Sequence, residues 1–167
     1  MEIFNRMKVA VLSDTHIPTN SHSLPPGLVD RLKGVNLIVH AGDFTEEFVI
    51  DELERIAPLE CVAGNMDSSS IRRKYSDKKI LNIGNFKIGL VHGYGAPDNL
   101  INYVKEAFQG EPLDCIIYGH SHIPSIDYID NVIYLCPGSP TDKVFAPYNS
   151  FGMLEINEQI IPQIIRL

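Results

Sequence analysis

Cysteine is scarce in this chain, with three among 167 residues. An odd count cannot close a disulfide framework, and two of the three lie in apolar, strand-like runs. Cys61, Cys115 and Cys136 therefore read as reduced core residues. Long hydrophobic runs are also missing. The longest, KVAVL, LIVH and CIIY, are strand-sized and far too short to span a bilayer. The opening MEIFNRMKVAVLSD lacks the cationic region, apolar stretch and small-residue cleavage site of a secretory signal, and Met7 is an alternative start. A cytoplasmic protein is the expectation. Basic charge is in deficit: 14 Lys and Arg face 21 Asp and Glu, for a net charge of -7. That speaks against sequence-independent binding of nucleic acid, which relies on neutralising many phosphates. It leaves a phosphate substrate open, because bound divalent ions reverse the sign of a local site.

What is present is an ordinary globular composition, 44% apolar and 21% charged, without repeats or low-complexity tracts. One domain over 1–167 is expected. MKVAVLSD reads as a buried strand, GLVDRLKG as a helix stopped by Gly34, and VNLIVHAGD as a second strand. Thr45 is the N-cap candidate for a helix through EEFVIDELERI that ends before Pro58, and LECVAGN is a third strand. Strand, helix, strand, helix, strand predicts parallel units with right-handed crossovers. The second half changes character. KKILNIGNFKIGLVHG reads as a hairpin around Gly84-Asn85, PDNLINYVKEAFQG as a helix and LDCIIYGH as a buried strand. Two more hairpins turn at Asp130-Asn131 and near Asn157-Glu158. The sum is an α/β fold with two mixed sheets covered by helices.

The strand ends carry the chemistry. Strand one delivers SDTH, with Asp14 and His16; strand two delivers Asp43; strand three delivers Asn65 and Asp67. Later strands deliver His92 and the pair His120 and His122 in GHSH. Loops beyond the carboxyl ends of strands are where ligands bind in α/β sheets. Each donor alone has a duller reading. A single Asp after a strand is more often a turn former, and Asn65 beside Gly64 suits a left-handed turn. Asp67 aside, they form an ordered set of seven donors from five loops, too many for one tetrahedral zinc. Two ions sharing a carboxylate fit better. Imidazole, carboxylate and amide ligands without thiolate favour Mn, Fe, Co, Ni or Zn. Asp14/His16 and His120/His122 are i, i+2 pairs, which extended backbone points one way and a loop can aim at different ions.

SDTH, AGD, GN, VHG and GHSH, in this order, resemble the calcineurin-like metallophosphoesterase superfamily, especially its small bacterial and archaeal phosphodiesterases; PGS at 137–139 is similar too. The resemblance implies a four-layer α/β/β/α sandwich. It implies that Asp14, His16 and His122 hold one metal, that Asn65, His92 and His120 hold the other, and that Asp43 bridges them. It further implies two divalent transition-metal ions, manganese favoured. They would lower the pKa of a bridging water for in-line attack on a phosphate-ester small molecule. Asn65 would touch the substrate, and Ser139 is a weaker candidate for a phosphate oxygen. No G-x-S-x-G elbow competes as nucleophile.

Many members have a His after the Gly-Asn that protonates the leaving group; here Met66 stands there, and a sulfur cannot donate that proton. Asp67, His22 and His40 are the nearby substitutes, although His40 reads better as packed and His22 as exposed. A binding scaffold is the rival reading, because a eukaryotic retromer subunit of the same fold acts chiefly in protein assembly. Two segments keep that rival open, LPPGL and VFAPYNSF, each of which could equally be a homodimer contact or a rim over the site.

Overall fold

The structure is a computed structural model that describes residues 6–167. Alternation along the first strand, β1 (Met7–Leu12), sets the layering. Val9 and Val11 point to one apolar cluster while Ala10 and Leu12 point to another. A strand with both faces apolar must be covered on both sides. β1 lies at the centre of a five-stranded sheet. It pairs in parallel with β2 (Leu37–His40), which pairs in parallel with β3 (Leu59–Cys61). On its other side β9 (Ser150–Ile156) pairs antiparallel with β1, and β10 (Ile160–Arg166) pairs antiparallel with β9. A second sheet has the order β4 (Lys78–Ile83), β5 (Phe86–Val91), β6 (Cys115–Ile117), β8 (Val132–Cys136), β7 (Ser125–Ile129).

Val9, Val11 and Val39 of the first sheet share a cluster with Ile88, Leu90, Ile117 and Leu135 of the second. This is the layer between the sheets. The outer face of the first sheet is covered by α1 (Pro26–Leu32), α2 (Glu47–Glu54) and α3 (Ser69–Lys74), through Leu28, Leu32, Val49, Leu53 and Ile71. The outer face of the second carries α4 (Leu100–Ala107), whose Leu100 and Val104 meet Ile116, Tyr134 and Cys136. Helix, sheet, sheet, helix is the expected four-layer order, with both sheets mixed. No helix among the described residues is long and apolar enough to cross a membrane.

Several local expectations change. Thr45 does not cap α2: it sits at φ 80° with its hydroxyl on the Ile17 carbonyl, and Glu46 occupies the N-cap without a side-chain bond. The helix is also shorter than expected, ending at Glu54. α3 has no forecast in the sequence, since six residues around a single buried Ile71 carry no periodic signal. In LPPGL, Leu24 and Leu28 are buried in the core while Pro26 and Gly27, which open α1, are exposed. The three cysteines are free and buried, and burial pushes each thiol up to about 12.

Candidate metal centre

The loops after β1, β2 and β3 of the first sheet meet those after β5 and β6 of the second. The first group carries Asp14, His16, Asp43 and Asn65; the second carries His92, His120 and His122. Each sheet thus supplies part of one cluster. Most of these residues have left-handed backbone: Asp14 at φ 55°, His16 at 41°, Asp43 at 60°, His120 at 75° and His122 at 59°. That conformation costs a non-glycine residue roughly 1–2 kcal/mol, and its concentration at one place marks a functional arrangement. The extended geometry considered for the two i, i+2 pairs is therefore not adopted.

At the floor, Asp14 and Asp43 face three imidazoles. Asp14 Oδ1 lies 3.7 Å from His16 Nε2, 3.4 Å from His122 Nε2 and 3.9 Å from His92 Nε2. Asp43 Oδ2 lies 3.5 Å from His16 Nε2 and 3.2 Å from His92 Nε2. His16 Nε2 and His122 Nε2 are 3.2 Å apart. Ligand atoms at about 2.1 Å from a shared ion stand about 3.0–3.4 Å from one another; Asp14–His122, Asp43–His92 and His16–His122 fall in that range, and the other separations are up to 0.5 Å wider. Asp14, His16 and His122 form one candidate ligand group, and Asp14, Asp43 and His92 a second.

Hydrogen bonding aims the donors inward. The other oxygen of Asp14, Oδ2, accepts from Ser13 Oγ at 2.6 Å and the His120 amide at 3.0 Å, leaving Oδ1 to the cluster. His92 Nδ1 donates to the Ala41 carbonyl at 2.7 Å, which turns Nε2 toward the carboxylates. Among the described residues, Asp14 Oδ1 and His92 Nε2 are buried polar atoms with no hydrogen-bond partner, which fits ligands of a cation. The local field favours one as well. Burial works against charge on His92, yet Asp43 and Asp14 hold its pKa up at about 9. His122 behaves alike: burial opposes, and Asp14 with Asp142 raises it to about 9. Burial should raise Asp14, but the neighbouring His122, His16 and His92 imidazoles hold its carboxyl far below the usual range.

The remaining expected residues take varied places. His120 lies beside His92, ring centroids 5.4 Å apart, with its Nε2 on the Gly95 carbonyl at 3.0 Å, so Nδ1 is the nitrogen left for a ligand role. Asn65 is exposed and lines the cavity over the cluster. Ser139 must be corrected. It is fully buried, its hydroxyl donates to the Asp14 carbonyl at 2.7 Å and accepts from the Thr141 and Asp142 amides, and no face is left for a phosphate. Asp67 is also turned away. Its carboxylate accepts the backbone N–H groups of Gly64, Thr45 and Asp43 at 2.7, 2.8 and 3.1 Å, fastening two ligand loops together rather than facing the cavity. His40 is buried, stacks on Phe44, and is pushed down to about 3 by burial, so it stays neutral. His22 is exposed on the α1 side.

Asp142 had no signal in the sequence. Its Oδ2 meets His122 Nδ1 at 2.6 Å, which fixes the ring with Nε2 toward Asp14. Carboxylates placed behind metal-binding imidazoles typically contribute 10–100-fold in affinity. Asp142→Asn should weaken divalent-metal binding by about that factor, measured by competition with a chromogenic chelator; unchanged affinity would remove the role.

The sequence profile of the calcineurin-like phosphoesterase superfamily domain matches residues 7–159. A probable metallophosphoesterase of Methanothermobacter thermautotrophicus is 37% identical over 139 residues, 81% of this chain and 78% of its own. A second, from Methanocaldococcus jannaschii, is 35% identical over 164 residues, covering 95% and 81%. A phosphodiesterase of that organism is 27% identical over 146 residues, covering 79% and 83%. Among solved structures, vacuolar protein sorting 29 of Cryptosporidium parvum superposes with a TM-score of 0.81 at 21% identity, covering 97% of this chain and 92% of its own. The zinc complex of Vps29 from Entamoeba histolytica gives 0.74 at 26% identity, covering 96% and 99%.

Proposed function

The chain belongs to the calcineurin-like phosphoesterase superfamily, and from that premise we propose that it is a phosphodiesterase acting with two divalent transition-metal ions, manganese favoured. The observation that carries the reading is the pair of partnerless buried atoms, Asp14 Oδ1 and His92 Nε2, inside a ring of carboxylates and imidazoles. Asp14, His16 and His122 would hold one ion; His92, His120 and Asn65 would hold the other, with Asp43 between them. When bound, such a pair activates water at neutral pH and draws phosphoryl oxygens into place.

The rest is the work of the chain. Ser13, Ala41 and Asp142 hold the ligand atoms of Asp14, His92 and His122 toward the cluster. Asn65, at the cavity wall, offers its side-chain N–H to a phosphoryl oxygen. Met66, Ile123 and Phe145 give the mouth an apolar lining. Among the described residues, none of the nearby substitutes is placed to protonate the leaving oxygen: Met66 has no proton to give, and Asp67 and His40 face inward. Good leaving groups are then preferred. Bis-p-nitrophenyl phosphate should be hydrolysed far faster, relative to its uncatalysed rate, than a dialkyl ester, and Met66→His should raise the alkyl rate by about 10²-fold or more. Equal relative rates in the native protein would remove the idea.

The substrate is a small phosphate ester in the cytoplasm rather than generic nucleic acid, in keeping with the net charge of -7. The test is elemental analysis of the purified protein together with a diester and monoester panel under Mn²⁺, Ni²⁺ or Zn²⁺. About two metals per chain and diester turnover are expected. Metal binding with no ester hydrolysed would favour a scaffold, the reading that the likeness to Vps29 keeps in view.

A further inference from the structure

The cavity over the cluster holds about 400 Å³, and Asn65, His120 and Ser121 add polar groups to its lining above His16 and Asp43. Its mouth is formed by Met66, Ile123 and Phe145 with Pro97. These side chains stay unusually open: Met66 is 60% exposed, Ile123 47% and Phe145 73%. Phe145 is open yet anchored. The backbone N–H groups of Val144, Phe145 and Ala146 donate to Asp142 at 2.8, 3.1 and 2.9 Å. That carboxylate also orients His122, and the Phe145 ring meets the His122 ring edge to face, centroids 6.2 Å apart. One residue therefore sets both a candidate metal ligand and an aromatic surface beside it.

Charge narrows the choice further. Among the described residues no Lys or Arg lines this cavity. Arg72 belongs to a neighbouring cavity of about 230 Å³, which Asp77 also lines. Phosphate groups beyond the reacting one are held by cationic side chains, and none is offered here.

Resting on the phosphodiesterase reading, we propose that the substrate is a singly charged phosphodiester carrying a flat aromatic group, aryl or nucleobase, that lies on Phe145 and against Met66. Ring stacking and sulfur–aromatic contact are the forces that such walls supply. Polyphosphates and dianionic monoesters are disfavoured.

Phenyl p-nitrophenyl phosphate and methyl p-nitrophenyl phosphate share a leaving group and differ only in the retained substituent. Corrected for uncatalysed rates, kcat/KM should favour the phenyl ester roughly tenfold, chiefly through KM. Phe145→Ala should bring that ratio near unity, and Phe145→Tyr should restore it. A second readout needs no turnover: diphenyl and dimethyl phosphate titrated into the zinc-loaded protein, followed by calorimetry and by the Met66 methyl resonance. Diphenyl phosphate should bind more tightly and shift that methyl. Equal affinities, or an aryl preference that survives Phe145→Ala, overturn the proposal. If no diester is hydrolysed but the aryl preference in binding is present and lost in Phe145→Ala, the hydrolytic reading falls and the aromatic platform stands.

Discussion

Asp43→Asn is expected to abolish phosphodiester hydrolysis, a loss of about 10³-fold or more, in a protein that remains folded. The two halves of that expectation rest on different oxygens. Asp43 Oδ2 faces the cluster, 3.2 Å from His92 and 3.5 Å from His16, and replacing it with an amide removes the negative charge that two cations would share. Oδ1 instead accepts the Met66 amide at 2.7 Å. An asparagine oxygen can keep that bond, so the loop after β3 stays in place. Circular dichroism and thermal melting should match the parent, while bound metal falls and turnover disappears. A variant that still hydrolyses bis-p-nitrophenyl phosphate within tenfold of the parent would exclude Asp43 as the shared ligand.

Gly64→Ala should do damage of another kind, to the frame itself. An added Cβ would stand 2.1 Å from Asp43 Oδ1 and 2.4 Å from the Asp43 backbone nitrogen. A side-chain atom can rotate aside, but a backbone nitrogen cannot. The crossing of the β2 and β3 loops would have to open, breaking the Gly64 amide bond to Asp67. A destabilisation of about 3 kcal/mol or more is expected, at the upper end for overpacking. Gly34→Ala is the control, because its Cβ meets nothing within 4 Å and bears only the strain of φ +80°, a cost of about 1–2 kcal/mol. Urea midpoints of the two variants should separate clearly; similar values would mean that the two loops part easily.

The layered frame was legible because it follows from alternation. Val9 and Val11 against Ala10 and Leu12 require cover on both faces of one strand, and the three hairpin turns announce the antiparallel edges. The donors were legible because they recur at strand ends. What lay hidden were the residues that hold them. Ser139 and Asp14 are 125 positions apart, and Asp142 reaches His122 across 20, distances at which spacing has no meaning. A polar residue in a loop looks the same in sequence whether it faces substrate or supports a neighbour, and Ser139 and Asp67 both proved to support neighbours. The left-handed backbone at Asp14, His16 and Asp43 carries no glycine to advertise it. The aromatic mouth at Phe145 depends on a turn wrapped around one carboxylate, which only the assembled fold reveals.

The candidate ligands come from both sheets, Asp14 and Asp43 from one and His92 and His122 from the other. An ion held there would be a cross-link between two halves of the sandwich, absent once the halves part. Occupancy at a hundred times the dissociation constant would add about 2.7 kcal/mol to the folded state. Starved of metal, the protein would open more often and be cleared sooner by proteases. Its lifetime in the cell would then track the free concentration of the ion, so that abundance as well as turnover follows metal supply.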